Sequence, residues 1–222
     1  MRLHAWPARV ALAIAASVIV PPATAVPLSR AEITALCANA EDQAHCGRLI
    51  EARQMKAVER FVERNGDELR IQLASFGLTV FRDTINVSGA ESYAVWDYYE
   101  DLETVVLFAT EGERTQFWLV QRRGGEEFRI PSEPVLSPDH RRFVTADFCA
   151  QGCENRIVVW TIARDGVRRE LAWTPPASWT DASAGWRSAD TIKLEYSLGG
   201  EPGSRVAERR LSDPSWTKAP AQ

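Results

Sequence analysis

The run Arg156-Ile157-Val158-Val159-Trp160-Thr161-Ile162 limits the fold more than any other stretch, because as a strand it is apolar on both faces. Val158, Trp160 and Ile162 point one way, while Ile157 and Val159 point the other. A strand like this must be covered above and below, as in sheets stacked face to face. A one-sided sheet or a water-filled barrel would leave half of it wet. Residues 103–110 (ETVVLFAT) have the same character.

From Leu69 onward the whole chain reads as strand. Leu69, Ile71 and Leu73 alternate with Arg70 and Gln72, which buries one face. Gly77 opens a second short run ending at Phe81. Three longer units follow at a period of about 40 residues, over 93–130, 133–173 and 177–211. Each sets apolar runs between turn signals: Gly124-Gly125 in the first, Asp165-Gly166 in the second, and the loop 199–203 in the third. The expected β-repeat domain covers residues 67–215, and residues 216–222 form a tail.

Residues 26–66 read as a helical segment. Ser29 followed by Glu32 is a capping box, with Ile33 and Leu36 as a short apolar face. A second helix is expected over 41–63, where Leu49, Ala52, Met55, Val58 and Val62 recur at steps of three and four and give one buried stripe. Asn65-Gly66 then punctuates the chain.

The first 25 residues read as a signal peptide. Arg2 and Arg9 precede an apolar run over 10–20, and Ala23-Thr24-Ala25 is the small-x-small pattern cleaved by signal peptidase. The competing reading is an uncleaved anchor, but the run falls short of the roughly 20 residues a membrane span takes. Cleavage after Ala25 implies a periplasmic or secreted protein with no remaining membrane span. The formal net charge of −4 becomes −6 once Arg2 and Arg9 leave with the leader. That balance argues against nucleic acid as a partner, which needs a concentrated basic face.

All four cysteines follow the leader. In an oxidising compartment an even number reads as disulfides, and the spacing favours Cys37–Cys46 and Cys149–Cys153 among the three pairings open to four cysteines. A metal site built from Cys149 and Cys153 with His45 or His140 is the competing reading. Those two cysteines lack the tight knuckle spacing of structural zinc sites, and Cys-x-x-x-Cys is not the compact redox spacing. Neither metal nor cofactor is expected.

Ser137-Pro138-Asp139, then a strand ending at Asp147, a loop, and Asn155-Arg156-Ile157-Val158-Val159-Trp160 together resemble one blade of a bacterial β-propeller of the Ser-Pro-Asp-Gly or WD-repeat type. Pro138 presets the first bend, and Asp139 can bond the backbone two residues on. His140 stands where that family has glycine. The arrangement as a whole is also similar to small exported bacterial proteins of uncharacterised role. The resemblance implies a mainly β chain, a propeller-like stack of short antiparallel meanders behind a short N-terminal helical segment. The alternative is a β-sandwich. Such blades are scaffolds and specify no activity.

The sequence contains no Gly-x-Ser-x-Gly elbow, His-Glu-x-x-His, phosphate-binding loop or EF-hand pattern, so no catalytic residue is assigned. One stretch stands out, Trp96-Asp97-Tyr98-Tyr99-Glu100-Asp101-Leu102-Glu103, with four acids and three aromatics. Strict alternation would put Trp96 and Tyr98 on one face and Asp97 and Tyr99 on the other. Core aromatics with solvated acids is one reading. A binding surface of Trp96, Asp97, Tyr98, Tyr99 and Asp101 is the other, facing a protein or glycan of the cell envelope. Paired carboxylates beside aromatics also suit a hydrolase acting on envelope polymers, or an inhibitor of one. Trp118, Trp160 and Trp173 are expected in the core, and Trp179, Trp186 and Trp216 in connections, where they pin loops.

Overall fold

Ser29 starts the first helix, α1 (Arg30–Cys37), with the expected capping box: its hydroxyl accepts from Glu32 N, and the Glu32 carboxylate accepts from Ser29 N at 2.8 Å. The computed structural model describes residues 27–86, 89–149, 152–163 and 166–218. The expected leader and Asp165 lie outside the described residues. Asp42 caps the second helix, α2 (Gln43–Val58), by accepting from His45 N at 2.7 Å. The Cys37–Cys46 disulfide ties the two helices across their turn, as the spacing implied.

Helix α2 differs from expectation in length and in face. It ends at Val58, and Val62 already belongs to a strand. Its buried residues are Gly47, Ile50, Glu51, Gln54 and Val58, whereas Ala52 of the expected stripe is exposed and Leu49 and Met55 are half-buried. Helix α1 buries none of its residues.

Among the described residues four antiparallel sheets follow, none of them closed. The first holds β1 (Val62–Asn65), β2 (Glu68–Gln72) and β3 (Leu78–Arg82), the β1–β2 turn using Gly66 at φ 61°. The second runs β4 (Thr84–Asn86), β5 (Gly89–Tyr99), β6 (Thr104–Glu111), β7 (Arg114–Gln121) and β8 (Glu127–Ile130), each beside the next. The third holds β9 (Val135–Leu136), β10 (Arg142–Asp147), β11 (Arg156–Ala163) and β12 (Gly166–Trp173). The fourth holds β13 (Trp179–Ser188), β14 (Thr191–Leu198) and β15 (Ser204–Arg210). A final short strand, β16 (Thr217–Lys218), returns to pair with β12.

Both middle sheets are buried on both faces, which explains their doubly apolar strands. Val95, Leu107 and Val120 of the second sheet pack on Val58, Leu69 and Ile71. Its opposite face, with Val106, Phe108, Phe117 and Leu119, packs on Phe143 and Ile162 of the third sheet. The far face of the third sheet, with Val144, Ile157 and Val159, packs on Trp179, Ile192 and Leu194 of the fourth. Four sheets in series replace the two that a sandwich would have.

Three assignments change. Residues 179–188 form strand β13, although their Ser, Ala and Gly content suggested a connection, and Trp179 lies buried against Tyr196 with ring centroids 3.6 Å apart. Trp186, also in β13, donates to Val135 O at 2.8 Å. Trp216 is core rather than tail, buried beside Trp173 with Nε1 donating to Arg210 O at 2.8 Å.

The edge of the second sheet explains the polar face of α2. Beyond its short pairing with β4, strand β5 presents free backbone groups, and an open edge invites wrong pairing. Side chains take these groups instead. Asp83 accepts from Tyr93 N at 2.9 Å, Arg64 donates to Tyr93 O, and Glu51 accepts from Val95 N at 2.9 Å. The Glu51 carboxylate also accepts from Arg48 at 3.0 Å and from Arg64 at 2.9 and 2.7 Å, and Arg48 pairs with Asp83. Gly47 lets the helix come close: a Cβ there would lie 2.9 Å from the Phe108 ring and 3.2 Å from Ala94 Cβ. Gly47→Ala is therefore expected to destabilise the protein by about 1–3 kcal/mol through overpacking, despite alanine's better helix propensity. Urea unfolding measures the change.

Candidate functional site

The turn that carried the sequence resemblance is built as its residues suggest. Ser137 is buried, its hydroxyl donates to Asp139 at 2.6 Å and accepts from Arg142 N at 3.0 Å, and Asp139 also accepts from Arg141 N at 3.2 Å. His140 adopts φ 56°, the left-handed geometry that glycine would take without cost. Its Nδ1 lies 2.8 Å from Asp101 Oδ2, which fixes the ring of a residue type tolerated in that region. The Cys149–Cys153 disulfide forms as the spacing implied. Asp147 accepts from Glu154 N at 2.9 Å across the base of that loop.

A β-bulge rearranges the acidic-aromatic run. Val95 pairs with Leu107 and Asp97 with Val106, leaving Trp96 extra. Such a bulge puts two successive side chains on one face. Trp96 and Tyr99 therefore pack toward the third sheet, as does Asp97 opposite Val106, while Tyr98 turns to the other face and packs on Phe61 at 4.8 Å between centroids. The alternation expected for this run is corrected accordingly. Asp101 stays exposed and engages His140, and Glu100 lies 3.8 Å from Arg60.

The bulge gathers a polar cluster that the sequence did not signal. Trp96 Nε1 donates to Glu133 at 2.9 Å, and Tyr99 OH donates to Pro134 O at 2.9 Å. Asp97 is only 7 % exposed. Desolvation pushes its pKa up to about 6, the bond from Tyr98 N opposes that, and the Glu133 charge adds a smaller upward push. Glu133 is exposed as a residue, yet crowding around its carboxylate raises its pKa against the Trp96 bond and the nearby Arg30 charge. Burial likewise raises Tyr99, with Asp97 and Glu133 reinforcing it.

Glu133 stands at the edge of an open cleft of about 1080 Å³ between the second and third sheets. The half-buried Phe148 and Trp160 contribute aromatic surface to it, with the buried Phe108 and Phe117 behind them. Glu113, Asp147 and Glu154 supply carboxylates, Arg30 and Arg169 supply cations, and the disulfide loop closes one side. Two further polar groups mark its wall, since Ser132 Oγ and Gln116 Oε1 have no hydrogen-bond partner. Trp160 is held by its Nε1 bond to Thr145 at 2.9 Å. Of the residues singled out in sequence, Trp96 and Asp97 lie behind this cleft, Tyr98 and Tyr99 are buried, and the exposed Asp101 engages His140 of the turn. The cleft itself was missed because its residues are scattered from Arg30 to Arg169 and meet only through sheet packing.

Among the described residues, no group of three or more His, Cys, Asp and Glu side chains is placed to hold a metal ion, and no helix is long and apolar enough to cross a membrane. Two disulfides fit an oxidising location, extracellular or periplasmic. No known protein family, curated protein or solved structure matches this chain.

Proposed function

We propose that this protein is an exported, non-enzymatic binding module of the cell envelope, and that the cleft between its second and third sheets receives a glycan segment. The cleft carries the reading: aromatic rings set beside carboxylates and arginines in a volume of about 1080 Å³. Sugar C–H faces stack on aromatic rings, while their hydroxyls both donate to carboxylates and accept from guanidinium groups. The consecutive packing of four antiparallel meanders supports the propeller-like scaffold, and the leader-like first 25 residues support export to the periplasm. Thr115 is an exposed cleft residue outside the core, so Thr115→Trp plugs the site at little cost to folding. In equilibrium binding to solubilised envelope polysaccharide, the wild type is expected to bind and Thr115→Trp to bind roughly tenfold or more weakly, since the lost contacts are worth at least about 1.4 kcal/mol. Equal binding by both sinks the reading.

A second reading, a hydrolase of envelope polymers, has one observation in its favour. Asp97 is a buried acid with a pKa near 6 that shares its surroundings with Glu133, the environment in which a carboxyl acts as a proton donor. Release of soluble sugar by the wild type, lost in Asp97→Asn, would favour it over binding alone.

A further inference from the structure

The outer face of the first sheet carries a feature that the cleft does not explain. Phe76, at the tip of the β2–β3 hairpin, is 97 % exposed, and Leu78 and Val80 on β3 are 54 % and 45 % exposed. Among the described residues, three of the four exposed large apolar side chains thus sit on one short hairpin, the fourth being Val206 on β15. Immediately beside them is a groove of about 360 Å³, with Phe61, Val62, Gly77 and Leu78 as its apolar lining and Glu59, Arg60, Glu63, Arg70 and Gln72 as its polar lining. The tip is well supported and not a frayed loop: Ala74 N donates to Arg122 O at 2.7 Å and Leu73 N to Gly77 O at 3.1 Å. The fold therefore holds a bare phenylalanine in water next to a groove lined by both apolar and charged side chains.

We propose that this face is a two-fold interface between two copies of the chain, each inserting Phe76 into the groove of the other. Knob and hole lie side by side, with Gly77 lining the groove directly after Phe76, so one axis close to the hairpin exchanges both reciprocally, as an isologous contact requires. The charges around the groove make the same case. Glu59 and Glu63 line the groove together with Arg60, 3.8 Å from Glu100, and Arg70, paired with Glu68 at 2.6 Å, a balance of two acids and two cations that admits a second copy of the same face and suits neither a strongly acidic nor a strongly basic partner. Register places Val80 beside Arg70 and Glu63, and Leu78 beside Gln72, so the exposed apolar residues along β3 run next to polar residues along β1 and β2. This interface is separate from the cleft and does not depend on what the cleft binds.

Sedimentation velocity of the protein from about 1 to 500 μM tests the proposal, a range chosen for an interface at the weak end of specific association. The wild type is expected to shift from monomer to dimer across this range. Each dimer holds two copies of Phe76, so Phe76→Ser is expected to weaken the association roughly 100-fold or more and to stay monomeric. Val206→Ser, on another exposed apolar residue, is expected to dimerise like the wild type. A wild type that stays monomeric throughout, a Phe76→Ser variant that still dimerises, or a Val206→Ser variant that fails to dimerise each overturns the proposal. Circular dichroism on all three proteins separates loss of association from loss of fold.

Discussion

Replacing Glu51 with alanine is expected to destabilise the protein by about 3–5 kcal/mol. The carboxylate is 5 % exposed and satisfies four donors: Arg48, two nitrogens of Arg64, and the backbone N–H of Val95. Without it, Arg64 keeps its charge in a site where its side chain is 16 % exposed, and Val95 N loses its acceptor. Removing one member of a buried pair costs more than the pair contributes, because the survivor is stranded in a poor solvent. Glu51→Gln keeps an acceptor oxygen for Val95 and is expected to cost less than the alanine change. Urea midpoints at constant slope measure both. A loss below about 1 kcal/mol for Glu51→Ala, the range of an exposed ion pair, would show that the edge is not held this way.

The second large effect has the opposite sign. Asp97 holds its proton to about pH 6 in the folded state, against an ordinary value of 3.8. The folded chain therefore binds more protons than the unfolded chain between those limits, and stability falls as pH rises through them. Above pH 6 the whole penalty is present, on the order of 3 kcal/mol at about 1.4 kcal/mol per pH unit. Asparagine cannot ionise, and its Oδ1 still accepts from Tyr98 N, the bond that Asp97 makes at 2.8 Å. Asp97→Asn is therefore expected to be more stable than the wild type by about 2–3 kcal/mol at pH 8 and indistinguishable from it near pH 3, below the ordinary carboxylate value. A variant less stable at pH 8 would mean that the ionised carboxylate is held by a favourable contact. In that case the desolvated environment described for the bulge would be wrong.

These two residues mark where sequence and structure part. The doubly apolar runs around Val106 and Val158 were legible because covering both faces of a strand leaves a period-two signature on both sets of residues. The disulfides were legible from chain separation alone. Glu51 was not, because its role is set by an open β5 edge that lies more than forty residues further along the chain. A helix that packs on a sheet face shows an apolar stripe; one that closes a sheet edge must also bring polar groups to free N–H and C=O groups. The displaced stripe on α2, with Gln54 buried where Ala52 was expected, follows from that difference. Trp96 and Asp97 were recognised as unusual but placed by strict alternation, which a single inserted residue reverses. Strand β13 was hidden by composition, since Ala182, Ala184 and Gly185 carry little β propensity, and only the Trp179–Tyr196 stack and pairing with β14 commit it. The cleft left no local trace, because Arg30, Phe117, Trp160 and Arg169 come from three separate parts of the chain.

The most direct test of the account is hydrogen exchange with and without solubilised envelope polysaccharide. Bound glycan is expected to slow exchange in β7, around Ser132, and at the Cys149–Cys153 loop, while the hairpin tip at Phe76 and the fourth sheet keep their rates. Protection confined to other surfaces, or no protection at concentrations that saturate binding, would contradict the claim that the cleft is where this protein meets its ligand.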